Sequence, residues 1–152
     1  MAINPRSDLE FEVVLSIHIE KMMWTLLGRI DRLFSFLQIF MGVAVVTQFA
    51  PTLVGLVVAG IAAAQLVWQP GIKATEAKAS HDRWHNLLKQ FGRMKDDAIQ
   101  KEVSQLSERD SQALRCLHPA AHVSAAIQLG RDTSDAPAMQ NWQKVLVFFA
   151  GG

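Results

Sequence analysis

Charge is missing where a soluble protein would carry it. From Leu33 to Ile72 the chain runs 40 residues without one Asp, Glu, Lys, Arg or His. Over all 152 residues the charged fraction is 19%, against about 25% in an average soluble domain, so the deficit is concentrated in one place. Cysteine is nearly absent: Cys116 stands alone, which excludes a disulfide-stapled scaffold and reads as a packed thiol. A net charge of +1 excludes a strongly basic nucleic-acid binder, whose affinity rests on excess Lys and Arg. A hydrophobic content of 50% excludes a disordered chain. There is no Gly-rich phosphate loop opening a helix, no nucleophile elbow and no pair of catalytic carboxylates. No enzymatic activity and no cofactor are therefore expected. No run alternates as a strand does, and the length suits one domain.

The charge-free run is the dominant positive feature. A bilayer's hydrocarbon core is about 30 Å thick and takes roughly 20 apolar residues as a helix. Forty residues accommodate two such helices, and Pro51 sits near the middle, where it disfavours helix in the residue before it. The sequence predicts spans at Leu33–Phe49 and Leu53–Gln69. A hairpin buried in a soluble protein would need amphipathic protein on every side, more than the other 112 residues supply. Lys21, Arg29 and Arg32 precede the first span, Lys73, Lys78, Arg83 and Lys89 follow the second, and the turn at Pro51 is uncharged. The positive-inside rule then puts both termini in the cytoplasm. Trp68 suits the interfacial belt, and Pro70-Gly71 punctuates the exit. The apolar run begins too late for a signal peptide, and no cationic segment with a small-residue cleavage site precedes it.

Outside the run the patterns are helical. Ser7 or Asp8 can cap a helix over Leu9–Arg32, with Asp8, Glu10 and Glu12 near its positive end. Val13, Ile17, Trp24, Leu27 and Ile30, widened by Val14, Met23 and Leu26, form a stripe that lies on the membrane surface or packs on a partner helix. After Gly71, a cytoplasmic seam of Ala77, Trp84, Leu87, Phe91, Met94 and Ala98 follows a three-four spacing close to two coiled-coil heptads, with Val103 and Leu106 as its continuation. Ser107–Ser111 reads as a break. A further helix is expected from Asp110 to about Gly130, interrupted or restarted at His118-Pro119, and Arg131–Pro137 as a loop. The apolar tail Trp142–Ala150 is too short to span and is expected on the bundle or the membrane face. The expected fold is all-α: a cytoplasmic or interfacial N-terminal amphipathic helix (1–32), a two-transmembrane hairpin (33–70) and a cytoplasmic helical region (71–152).

Three constellations carry the candidate chemistry. Gly55, Ala59 and Ala63 are spaced by four, as are Gly60 and Ala64; in lipid such stripes allow close helix packing, here against span one or against a second chain. Gln38 and Gln65 lie at similar depth if the turn centres near Pro51. An amide in hydrocarbon needs a partner: either the two bond structurally, or they line a polar route together with Thr47 and Gln48 in an oligomer. No ionisable residue lies in either span, which argues against a proton-coupled transporter or voltage sensor. His81 and His85, and His118 and His122, are each four apart, a spacing able to hold a metal. No carboxylate pattern supports them, so they read as solvated or interface histidines and no metal is expected.

This layout resembles the SLATT proteins, two-transmembrane effectors found beside nucleotide-signal and sensor modules in bacterial conflict systems. The resemblance rests on the order of the N-terminal helix Leu9–Arg32, the hairpin Leu33–Gln69 and the helical segment from Lys73. It is architectural, so no functional residue is carried over. It implies a membrane-perturbing or pore-forming effector of the bacterial inner membrane, restrained until a cytoplasmic sensor or signalling protein acts. Leu117–Gly130 and the apolar tail also resemble small phage and prophage membrane proteins. The expected partners are the lipid bilayer, further copies of the chain and such a sensor, but not nucleic acid. The alternative expectation is a membrane adaptor or phage-derived exclusion protein that forms no pore and recruits a partner through its cytoplasmic helices.

Overall fold

The structure is a computed structural model and describes residues 5–46, 51–108, 115–134, 136 and 138–151. Most of these residues are helical, with no strand among them. The helices are α1 (Pro5–Val46), α2 (Pro51–Trp68), α3 (Pro70–Gln90), α4 (Asp96–Ser107), α5 (His118–Gln128) and α6 (Asn141–Ala150). Short 3-10 turns lie at Phe91–Arg93 and Arg115–Leu117.

The first helix joins what the sequence pattern divides. The N-terminal segment and the start of the first apolar run form one helix of 42 residues. No proline lies between Pro5 and Val46, and glycine in a helix interior costs only about 1 kcal/mol relative to alanine. Gly28 and Gly42 are therefore carried through, and nothing stops the helix at Arg32. Pro5 opens it, where a missing N–H is no loss, so Ser7 and Asp8 lie inside the helix instead of capping it. Pro51 opens α2 in the same way. Residues 47–50, which include Thr47 and Gln48, lie outside the described residues.

Between α2 and α3 the chain turns on one residue. Gln69 adopts φ 49° and ψ 51°, a left-handed conformation that side chains rarely take. Its N–H still donates to the Gln65 carbonyl at 2.8 Å, and its carbonyl accepts from the Lys73 N–H at 3.1 Å. Pro70 thus opens a new helix directly. Gly71 meets Asp31 of α1, and a Cβ at Gly71 would lie 3.2 Å from the Asp31 carboxyl group.

The core is the antiparallel pairing of the first half of α1 with α3. Val13 and Ile17 pack with Trp84, Leu87 and Phe91. Met22, Met23, Leu26 and Leu27 pack with Ala74 and Ala77. Numbers rise along one helix as they fall along the other. At the far end the Arg6 guanidinium donates to the Phe91 carbonyl at 2.8 Å and pairs with Asp96 at 2.6 Å. The seam expected on α3 is thus filled by α1 of the same chain, and Trp84 is 0% exposed.

That seam does not run on into α4. After the turn at Phe91–Arg93, Met94 and Lys95 are extended, and α4 restarts at Asp96 with two acidic residues in its first turn, as its positive end favours. It folds back so that Ile99, Val103 and Leu106 join the Trp84 cluster. Met94 is left half-buried and Ala98 exposed. Three-four spacing survives such a fold-back, because each piece keeps its own apolar face.

The remaining helices close the other side of α1. In α5, Ala120, Ala121, Ala125 and Ala126 are buried, small enough to let it approach closely. The Phe11 and His122 rings meet edge-on at 5.0 Å, and Arg131 lies over the Phe11 ring while bonding Ser7. The expected start of this helix at Asp110 falls outside the described residues; α5 itself begins at His118, with Pro119 in its first turn. The apolar tail forms a true helix, α6. Gln140 and Gln143 make a reciprocal capping box at its start, and Arg29 donates to the Phe149 carbonyl at its end at 2.7 Å.

Replacing Trp84 with alanine should cost about 3–5 kcal/mol of stability, as emptied aromatic core sites do. Ile127→Ala, at an exposed site on α5, should stay within about 0.5 kcal/mol. Denaturant unfolding in a mild detergent measures both. Equal midpoints for the two variants would contradict the α1–α3 core.

Candidate functional site

The two ends of the structure present opposite surfaces. Up to Ile30 the large apolar side chains of α1 are mostly buried. Beyond Arg32 they turn outward: Leu33, Phe36, Ile39, Phe40 and Val43 are all exposed. On α2 the same holds for Leu53, Leu56, Leu66 at 75% and Val67 at 85%. The helical stretch Thr52–Arg93 contains a segment long and apolar enough to cross a membrane, and only 6% of that segment is buried within the protein. The core helix of a soluble protein would be mostly buried.

Among the described residues there is one such segment where the sequence suggests two. The described part of the first run, Leu33–Val46, is 14 residues, about 21 Å as a helix, shorter than the ~30 Å hydrocarbon core. Its expected end, residues 47–49, lies outside the described residues.

Facing sides of α1 and α2 are set by burial. The two helices pack together. On α2, Val54 is buried and Val58, Ile61 and Gln65 are half-buried, at helical spacing. On α1, Phe34, Leu37, Gln38 and Met41 are half-buried in the same pattern. The Asp31–Gly71 approach fixes the register. Gln38 is seven residues beyond Asp31 and Gln65 is six before Gly71, so the two amides sit at nearly one level on facing sides. No side-chain hydrogen bond joins them among the described residues.

The small-residue stripes point the other way. Gly55, Ala59, Ala63, Gly60 and Ala64 are all exposed, and nothing lies within 4 Å of where a Cβ would stand at Gly55 or Gly60. Val54, Val58 and Ile61 take the packing against α1, so the stripes remain free in a single chain.

At the level where the apolar surface begins, a shallow cleft of about 420 Å³ opens between Asp31 and Gln65, Leu66, Gln69 and Ile72. Arg29, Arg32, Lys73 and Trp68 are exposed at this level, the usual residue types of a membrane boundary. A second cleft of about 380 Å³ lies between α3 and α4, lined by Arg83, Asn86, Gln90, Met94 and Glu102 among others.

The histidine pairs do not converge on a site. His81 and His85 stack at 6.0 Å, with His81 Nδ1 3.2 Å from Asp82. His118 and His122 lie 6.4 Å apart, and His122 Nδ1 is buried without a hydrogen-bond partner. No group of three or more His, Cys, Asp or Glu is placed to hold a metal among the described residues. Cys116 is half-buried against the Met22–Leu27 cluster. In the loop after α5, hydrogen bonds from the Ser134 hydroxyl and then its N–H hold the Asp132 carboxyl below its ordinary range.

One buried group escapes the sequence reading. Glu20 is 1% exposed, on the α1 face that packs on α3, and Ser80 of α3 is buried at the same level of the antiparallel register. Neither is without a partner, as buried polar groups require. Its spacing of seven from Val13 and from Leu27 puts Glu20 on the apolar stripe, which is the signal that marks it. No protein-family model, no curated protein and no solved structure matches this chain.

Cysteines at Gln38 and Gln65, in a Cys116→Ser background, should crosslink within one chain under mild oxidation. A pair at Ile39 and Ala63, both outward-facing, should not. The readout is loss of free thiols in the monomer band, and equal crosslinking of the two pairs would contradict the register.

Proposed function

We propose that the chain is a two-span membrane protein that self-associates through the outward face of α2 and holds a helical unit in the cytoplasm as a docking platform. One observation carries the reading. The apolar half of the α1–α2 pair exposes large hydrophobic side chains and a free small-residue stripe, while the polar half packs its own core. The first surface suits lipid and a second copy of the chain; the second is a finished domain. The described polar segments pack together at one end of the apolar half, so an odd number of crossings would have to divide them. Two spans with both termini inside the cell fit that packing and the charge around the uncharged turn. In this reading the seam at Trp84 holds the cytoplasmic unit together, and partners meet its outer surfaces, such as the α3–α4 cleft.

Self-association is the testable core of the proposal. In native membranes a bifunctional crosslinker should trap oligomers of the wild-type chain. Gly55→Leu and Ala59→Leu should shift most of the material to monomer, since close helix approach depends on the small side chains. A band that stays monomeric in wild type would overturn it, as would a wild-type pattern unchanged by both substitutions.

A pore-forming, SLATT-like effector is the second reading, and one observation favours it. Gln38 and Gln65 are half-buried at one level with no bond between them, so both amides are available to line a wet route in an oligomer. The competing role is helix glue, worth about 0.6 kcal/mol per interhelical bond. Protein reconstituted into dye-loaded vesicles separates the two. The effector reading expects leakage that Gln38→Leu and Gln65→Leu abolish without loss of oligomers. The platform reading expects no leakage from any variant.

A further inference from the structure

We infer that α6 lies in the membrane interface, its outer face sunk at the boundary between headgroups and acyl chains. This rests on the membrane reading above and adds a contact that a hairpin alone does not require. The helix is apolar on both sides. Leu146, Val147 and Ala150 face the protein and pack with the Met22–Leu27 cluster. Trp142, Val145, Phe148 and Phe149 face outward and are all exposed. From Val145 to Ala150 there are six apolar residues in succession, and a helix apolar all round needs an apolar surrounding on both sides.

The position of α6 identifies the occupant. Arg29 donates to the Phe149 carbonyl at 2.7 Å, and Gly151 lies against Thr25. The end of α6 is thereby fixed on α1 one turn below Leu33, where the exposed apolar surface of the hairpin begins. Arg29 and Leu33 are four apart on α1, so this contact holds the end of α6 on the face of α1 along which that surface begins. Arg29, Arg32 and Lys73 are exposed at that level, and Lys144 is exposed on α6 itself. Aromatic and aliphatic side chains beside Lys and Arg are the composition of helices that lie in a lipid surface, and the cations suit anionic headgroups. A soluble protein partner would have no reason to match an apolar face held one helical turn from the surface read above as membrane-spanning.

The test uses the full chain in vesicles of phosphatidylcholine and phosphatidylglycerol, in a Cys116→Ser background. Single cysteines replace Val145, Phe148 or Ser104 and carry a nitroxide label; Ser104 is exposed on α4 and serves as the water reference. Flotation with the vesicles is measured first. Loss of flotation would defeat the membrane reading itself, and this inference with it. With flotation intact, labels at 145 and 148 should be several-fold less accessible than the label at 104 to a water-soluble nickel relaxant, and more accessible to oxygen. Equal nickel accessibility at all three sites would put the face in water and overturn the inference. Protection of 145 and 148 from both relaxants would assign the face to protein, another copy or a partner, and would overturn it equally.

Discussion

The antiparallel contact between the first half of α1 and α3 holds the rest of the structure in place. Trp84 fills its centre, with Val13 and Ile17 on one side and Ile99 and Val103 on the other. Every further helix of the polar half uses this pair as its floor. Helix α4 folds onto the Trp84 end, and α5 and α6 pack along α1. A single fully buried indole with its neighbours removes a large apolar area from water, at about 25 cal/mol per Å². The same contact also aligns the helices where they leave the domain, because α1 continues unbroken to Val46.

From that alignment follows an abrupt change of surroundings along one helix. Met22 and Leu27 are buried by protein, whereas Phe36, Ile39 and Phe40 are exposed. The transition coincides with Asp31, Arg32, the left-handed Gln69, Pro70 and Lys73. Gln69 ends α2 at the edge of the apolar region, and Gly71 lets α3 pass close to the Asp31 carboxyl group. The Gln69 N–H and carbonyl both keep their hydrogen bonds through the turn, so the break between α2 and α3 leaves neither group of that residue unpaired at the edge of the exposed apolar surface.

Much of this was legible in the sequence because periodicity and charge report burial directly. The charge-free run marks the exposed apolar half, and the stripe Val13, Ile17 and Leu27 is indeed a packing face. Ala77, Trp84, Leu87 and Phe91 are buried as well. What periodicity does not carry is the identity of the partner. The stripe and the seam were each compatible with another chain, and they pair with each other. Helix ends were less legible. Nothing between Gly28 and Leu33 stops a helix, so the change from buried to exposed apolar residues near Arg32 is not a change of element. The fold-back at Arg93–Lys95 has no proline and keeps the three-four spacing on both sides, so Gly92 and the acidic pair Asp96-Asp97 are its only marks in the sequence. Among candidate site residues, Gln38 and Gln65 are half-buried on the packed sides of α1 and α2. Glu20 was missed because an isolated acidic residue in a helix ordinarily faces water.

The claim on which everything else rests is that the exposed apolar half crosses a membrane twice and leaves the polar half on one side. Single cysteines at Glu12, Thr52 and Ser134, in a Cys116→Ser background, test it in intact cells with a membrane-impermeant thiol reagent. All three positions are exposed in the folded chain, so protection reports the bilayer and not the fold. Labelling is expected at position 52 alone, with positions 12 and 134 reacting only after the cells are opened. Labelling of 12 or 134 from outside, or protection of 52 while the protein remains in the membrane, would contradict it.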